Sequence, residues 1–354
     1  MSNESAHPAL KGGLLALLAA TLFGLSTPMV QSLGKGVGSF TTAALIYAGA
    51  AAVAWVLRRP AAKEAGIQKS DWLRLIAMAG TGAVIGPVAL AWGLQHTSSS
   101  SASLMLTLEA VFTAVLAWRW YGETLDKRVV WAVLLLLAGG VLLVIEQGAF
   151  GQAQLWGLLA VMLATIAWGV DNTLSRGVAD RDPGQVVLLK STLGAMSTVA
   201  LAYLFGETVP LAVNAIGLLI IGATGYGLSL RFYLLAQRTF GAARTGSVFA
   251  FAPFIGAIGA FAMGDRSGSA LMIIAGALML LGVLLHLMET HAHEHTHEPL
   301  EHEHSHRHDD GHHDHFHELM PTVPHNHRHK HEPVTHSHAH VPDAHHGHGH
   351  GHGR

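Results

Sequence analysis

The sequence predicts an all-α integral membrane protein: ten transmembrane helices arranged as two inverted five-helix repeats, followed by a disordered His-rich tail. Three observations carry this. Half of the 354 residues are apolar and 12% are charged, against roughly 25% charged in a soluble domain. The apolar residues fall into ten stretches, each near the ~20 residues needed to cross a ~30 Å hydrocarbon core. The basic residues between those stretches alternate from one side to the other.

The stretches are 12–32, 39–57, 73–93, 100–120, 128–147, 155–176, 184–205, 212–235, 244–263 and 269–288. Two are open to question, because the fourth begins in SSSSAS and the seventh carries Lys190. Loop charge decides between nine and ten. With the short N-terminus (1–11) in the cytoplasm, the inward connections hold Arg58, Arg59, Lys63, Lys69 and Arg74, then Arg119, Lys127 and Arg128, then Arg176 and Arg181, then Arg238 and Arg244. The outward connections hold only Lys35 and Arg266. This positive-inside alternation requires all ten spans and sets both termini on the cytoplasmic side. The expected location is a bacterial inner (plasma) membrane, with the lipid bilayer as the first partner.

The chain also repeats itself. LLALLAATLFGLSTPMVQS in the first span is similar to LLAVMLATIAWGVDNTLSR in the sixth. TLEAVFTAVLAWRWYGET in the fourth aligns with AFAPFIGAIGAFAMGDRS in the ninth, setting Gly122-Glu123 against Gly264-Asp265. Five spans per copy force opposite orientations, the plan of many secondary transporters, which bind substrate near the midplane between halves. The halves are 12–147 and 155–288. Any two apolar helices look somewhat alike, but these matches occupy the same ordinal positions.

Across 12–288 the chain resembles the drug/metabolite transporter superfamily, EamA type. The carrying residues are the two fourth-span strings, SASLMLTLEAVFTAVLAWRWYGETL and RTGSVFAFAPFIGAIGAFAMGD, and the string WGVDNTLSR followed by DPGQVVLLK. The first copy has Glu109-Ala110-Val111 where the family usually has a proline. The second keeps Pro253 but ends in Asp265 instead of Glu. The resemblance implies transport by export or exchange of amino acids, other metabolites or drugs, and leaves the cargo open.

Ionisable residues inside spans are costly and point to function. Glu109, near the centre of the fourth span, can carry a proton in exchange for substrate; the alternative is a neutral acid that only holds helices together. Asp171 and Asn172 in the sixth span and Lys190 in the seventh lie at similar depth, since each residue rises about 1.5 Å. Asp171 and Lys190 can therefore pair, for transport or purely for structure. Arg231 in the eighth span suits an anionic group, or simply snorkels to the interface. Tyr226, in GATGYG, is a candidate to face a central cavity. Pro28, Pro87 and Pro253 remove backbone donors inside spans and so mark candidate gating or binding segments. Trp118, Trp120, Tyr121 and Trp131 fit an interfacial belt. His96 and His286 read as structural.

Residues 289–354 hold twenty-four of the twenty-seven histidines. This tail has four Lys/Arg and eleven Asp/Glu, a net of −7 with His neutral; the whole chain is −2, leaving the body at +5. Alternating imidazoles and acids suit Zn, Ni, Co or Cu(II). The candidate ligands begin with His291, His293, His295 and His297. They continue through His302, His304, His306 and His308 to His312, His313, His315 and His317. Few apolar residues and no helical period predict a tail without a core. Its rival reading is a pH-responsive brush, because imidazoles titrate near pH 6.5.

The favoured function is a secondary transporter of small metabolites with a metal-binding tail and no required cofactor. Alternatives are a divalent metal exporter that captures its cargo on the tail, and a membrane-anchored metal buffer or sensor. A homodimer is compatible with this. Neither composition nor motif suits a nucleic-acid binder. The absence of a nucleophile, a phosphate-binding loop or a catalytic dyad argues against an enzyme, and the absence of cysteine excludes thiolate metal sites.

Overall fold

The computed structural model describes residues 6–57, 66–121, 127–178, 181–240 and 242–287, and in the tail 291–296, 300–306, 325–331 and 335–340. The body is entirely helical. Among the described residues nine helices are long and apolar enough to span a bilayer. Spans 1 to 5 are Lys11–Leu33, Ser39–Val56, Lys69–Leu94, Ser99–Tyr121 and Lys127–Phe150. Spans 6 to 9 are Gln152–Ser175, Pro183–Leu204, Ala212–Ala236 and Thr245–Ala262, and the shorter Ala270–His286 forms span 10. Helix is the only open-ended answer for such segments, since a span must satisfy its own backbone where water is absent.

The two halves interlock. Span 1 packs on spans 8 and 9 of the other half, and span 6 packs on spans 3 and 4. Spans 2 and 7 pair with each other, as do spans 5 and 10. Each contact therefore has a counterpart with the halves exchanged, as two inverted copies require. Large apolar side chains such as Leu73, Ile145, Ile216, Ile258 and Ile273 point outward, the surface expected of a protein solvated by lipid. Trp118, Trp120 and Trp131 are likewise exposed.

Spans 3 and 8 each contain one π-helical stretch, Ala79–Ile85 and Gly222–Leu228. The stretches share a Thr-Gly pair, Thr81-Gly82 and Thr224-Gly225, and in each the threonine hydroxyl donates four residues back, to Ala77 and Ile220 at 2.9 Å. A π turn shifts the hydrogen-bond ladder by one residue and re-aims the side chains around it.

The three prolines behave differently. Pro87 and Pro253 open helical segments, Gly86–Leu94 and Ala252–Ala262, just after a π turn and a non-helical step. Pro28, the other candidate break, removes a donor from the ladder without ending the helix, which runs from Ala6 to Leu33. It still deprives the Gly24 carbonyl of its helical donor. That oxygen faces the backbone of span 9, where a Cβ added at Gly256 would lie 2.8 Å from it. Close backbone packing between two glycines thus accommodates the defect without a kink.

In the tail, only four short segments are described. They are extended: β1 (His291–Thr296) pairs antiparallel with β4 (Thr335–His340), and β2 (Leu300–His306) with β3 (His325–His331). A period-two alternation of residue types is what an extended backbone repeats. His297, His308, His312, His313, His315 and His317 lie outside the described residues, as do Gly122 and Glu123.

Candidate functional site

The body has two ends. One carries the connections after odd-numbered spans and is poor in charge; the other carries the basic connections. Between them, where spans 3 and 4 of the first half meet span 6 of the second, lies a group of polar side chains.

Span 6 supplies three neighbouring donors and acceptors. Asn172 donates from Nδ2 to the Glu109 carboxylate of span 4. Asp171 takes the Lys190 ammonium of span 7 on Oδ2, both side chains being 7% exposed. Trp168, one turn earlier, donates from Nε1 to the Gly82 carbonyl in the π turn of span 3 at 3.0 Å. The Tyr47 hydroxyl of span 2 donates to the same carbonyl. One oxygen thereby serves two aromatic donors from different halves.

Gly82 is glycine for a steric reason. A Cβ there would collide with the Asp171 carboxylate, so the missing side chain is the space in which the ion pair sits. The equivalent Gly225 faces Ser26 of span 1, and its Cβ would lie 2.6 Å from that of Ser26. Ser26 thus occupies the place in one half that Asp171 occupies in the other. The fold is twofold, but the charge is not.

Aromatic rings line the adjoining space. Phe23 of span 1 meets Trp168 edge-on at 5.7 Å, Tyr226 at 5.8 Å and Phe249 at 5.5 Å between centroids. Tyr47 meets Tyr226 at 5.7 Å. Phe23 remains only partly buried although rings from spans 6, 8 and 9 surround it. Glu109 and Asn172 are half-buried as well. Trp168 and Asn172 are four residues apart and share one face of span 6. The half-buried groups therefore lie along a single strip, with rings at one end and a carboxyl at the other.

Two polar atoms in this region are enclosed without a hydrogen-bond partner: Asp171 Oδ1 and the Tyr226 hydroxyl. Unpartnered buried polar atoms are uncommon and call for an explanation, such as an unbound ligand.

The structure thus draws Glu109, Asn172, Asp171 and Lys190 together and sets Tyr226 on the aromatic wall. Arg231 is not part of this group. It lines a narrow crevice at the basic end with Val53, Ala54, Leu57, Gly184, Val187 and Gly227 of spans 2, 7 and 8. Sequence reading missed Phe23, Tyr47, Gly82 and Trp168. The repeated Thr-Gly at 81–82 and 224–225 was the available signal for Gly82. Nothing in the sequence marks Tyr47 or Trp168 as pointing inward.

Ties between the halves bracket this site. At the basic end, Arg181 Nε meets Asp71 Oδ2 at 2.8 Å, Arg74 donates to the Gly177 carbonyl at 2.8 Å, and Tyr121 to the Thr173 carbonyl at 3.0 Å. At the charge-poor end, Glu207 accepts Phe40 N at 3.1 Å and Thr41 N at 2.7 Å, capping span 2. Asp265 accepts Ser100 N at 2.9 Å at the start of span 4. Among the described residues no group of three or more His, Cys, Asp or Glu is placed to hold a metal ion.

The pattern of the EamA-like transporter family matches residues 10–145 and again 155–288. The chain belongs to the EamA-like transporter family. An uncharacterized transporter of Methanothermobacter thermautotrophicus is 26% identical over 304 residues, covering 80% of this chain and 88% of the relative. The uncharacterized transporter YyaM of Bacillus subtilis is 28% identical over 201 residues, 54% of this chain and 65% of that one. A solved structure described only as a protein crystal structure superposes with a TM-score of 0.56 at 22% identity, covering 79% of this chain and 95% of its own; it speaks to the fold alone. This member of the EamA-like family is therefore a membrane transporter of small molecules, and its two matches divide it between spans 5 and 6, where the repeat does.

Proposed function

We propose that the chain exports small metabolites by alternating access, with substrate bound on the strip from Phe23 and Trp168 to Asn172 and Glu109. The observation that carries this reading is the half-buried Glu109–Asn172 pair at the junction of the two halves, beside a sealed Asp171–Lys190 pair. Lys190 pairs directly with Asp171, whereas the hydrogen-bond partner of Glu109 is a neutral amide. Glu109 is thus the carboxyl left to exchange partners, with substrate or with a proton. The ties at each end supply the two gates that alternating access needs, only one of which opens at a time.

In this reading the charge-poor end faces outward, both termini are cytoplasmic, and the tail is a cytoplasmic appendage that binds Zn, Ni, Co or Cu(II). The alternative of divalent metal export, with the tail as capture device, draws support from the strand register, in which His291, His293 and His295 stand opposite His340, His338 and His336.

The test is uptake into inside-out vesicles of a panel of amino acids and of divalent metals, with the full chain, Glu109→Gln and a tail-deleted form. Metabolite uptake that disappears in Glu109→Gln and survives tail deletion is the expected result. Metal uptake lost on tail deletion would replace this reading with the alternative. Uptake unchanged in Glu109→Gln would remove the site.

A further inference from the structure

Among the described residues, Glu146 is the one acid buried at the charge-poor end, and the transport strip makes no use of it. It lies one turn before the end of span 5 and is 2% exposed. The Ser269 hydroxyl donates to its Oε1. Its Oε2 is enclosed and has no hydrogen-bond partner. Ser269 immediately precedes span 10 and accepts Met272 N at 3.2 Å, so the carboxylate sits at the start of that helix, where the helix dipole favours negative charge.

The next residue along the helix belongs to a neutral polar cluster at the same end. Gln147, also 2% exposed, accepts Thr97 Oγ1 at 3.0 Å and donates to Ser101 Oγ at 3.1 Å. The outer two turns of spans 4, 6 and 10, which pack on span 5, carry no ionisable residue. The ionisable groups of this end stand in the connections and at helix ends: Lys35, His96, Tyr203, Glu207, Asp265 and Arg266. A sealed carboxylate with the Ser269 hydroxyl on one oxygen and the other oxygen free has the chemistry to receive a small monovalent cation, and acids inside membranes commonly serve ion pathways.

We infer that Glu146 is a cation site of the external gate, taking a proton or Na⁺ from outside when the halves part there. The connection 263–269 touches the first half twice, through Ser269 on Glu146 and through Asp265 on Ser100. Lifting that connection uncovers the carboxylate and removes the Ser269 hydroxyl from it. A cation that binds the uncovered form more tightly than the sealed form shifts the population toward an open external gate. The inference takes its orientation and its gate from the export reading above but does not depend on Glu109.

The absence of cysteine makes a direct test available. Ser103 is 1% exposed, its hydroxyl has no partner, and it faces Gly256 of span 9. Ser103→Cys therefore places an isosteric reporter between halves. Its labelling from outside by a membrane-impermeant maleimide, in proteoliposomes of the full chain, is normalised to Val209→Cys, which is 93% exposed. One arm replaces external choline by Na⁺ at fixed pH; the other lowers external pH in choline alone. A severalfold rise in one arm identifies the cation. Adding Glu146→Gln should flatten that rise, and Glu146→Asp should keep it at weaker affinity. The proposal is overturned by a rise that persists in Glu146→Gln, or by labelling that ignores both cations in the parent. A rise lost in Glu109→Gln but kept in Glu146→Gln would also overturn it.

Discussion

Lys190 and Asp171 form a buried ion pair between spans 7 and 6. Each is nearly sealed, and each makes the other's burial tolerable. Lys190→Met alone leaves an uncompensated carboxylate and should cost about 3–5 kcal/mol of stability in detergent unfolding. Combining it with Asp171→Asn should recover most of that loss. If the pair only holds the helices, the double variant also transports; if substrate or coupling passes through it, the double variant is stable and inactive. Unfolding and vesicle uptake on the same three proteins separate these outcomes. Glu109 has no such compensation, and Glu109→Gln is isosteric, so its effect belongs to transport and not to stability. That these residues mattered was legible in the sequence, because charge inside a span is conspicuous. That Asn172 serves Glu109 while its neighbour serves Lys190 was not, because one residue of helix turns about a hundred degrees and sends adjacent side chains to different partners.

At the scale of elements, the two π turns are the least ordinary feature. They occur at the same place in each repeat, carry the same Thr-Gly, and set a glycine against span 6 in one case and span 1 in the other. Gly82→Ala drives a methyl into the Asp171 carboxylate and should destabilise by about 1–3 kcal/mol, the usual range for overpacking. Gly225→Ala should do likewise against Ser26, but without disturbing a charge. Thermal unfolding should therefore fall in both, whereas transport should suffer more in Gly82→Ala. Asp265 is a different kind of element-level part, a cap. Burial pushes its carboxyl up, but hydrogen bonds from Ser267 and Ser100 outweigh burial and hold it below its ordinary 3.8. A depressed carboxyl stabilises above its unfolded value and loses that contribution as pH falls through the folded one. The Asp265 cap should accordingly stay intact on mild acidification and fail only below about pH 3.8. Asp265→Asn weakens a tie of the external gate and should raise basal labelling, but the mildly acidic pH at which the labelling above responds should stay where it is.

For the whole molecule, the inverted repeat accounts for both symmetry and its breach. Exchange of spans 1 and 6 between the halves makes each half the other's partner, so neither five-span unit is expected to fold to the same structure alone. The charges are confined to one of the two equivalent positions, Asp171 against Ser26, which is how a twofold scaffold comes to hold a one-sided site. The tail follows the body at residue 289, and neither the spans nor the central site contain a ligand set that would receive a metal from it, among the described residues. Deleting 289–354 should therefore leave metabolite flux within about twofold of the full chain while abolishing most Zn or Ni binding by calorimetry, each factor of ten in affinity being about 1.4 kcal/mol. A reporter fused after the last span and after residue 209 tests the orientation: activity inside for the first and outside for the second.

By itself the sequence determined the class, the number of spans, their alternating charge and the repeat, because each depends on composition or on a period that survives without contacts. It also singled out the acids and the lysine, since lipid makes any such residue costly wherever it points. Only the tertiary structure decided which of them meet. Rotation about each helix axis is invisible in an apolar segment, so the inward turn of Tyr47 and Trp168, the exclusion of Arg231 and the seal over Glu146 follow from how the halves pack. The uninterrupted helix at Pro28 has the same origin: a freed carbonyl is tolerated because Gly256 brings another backbone against it.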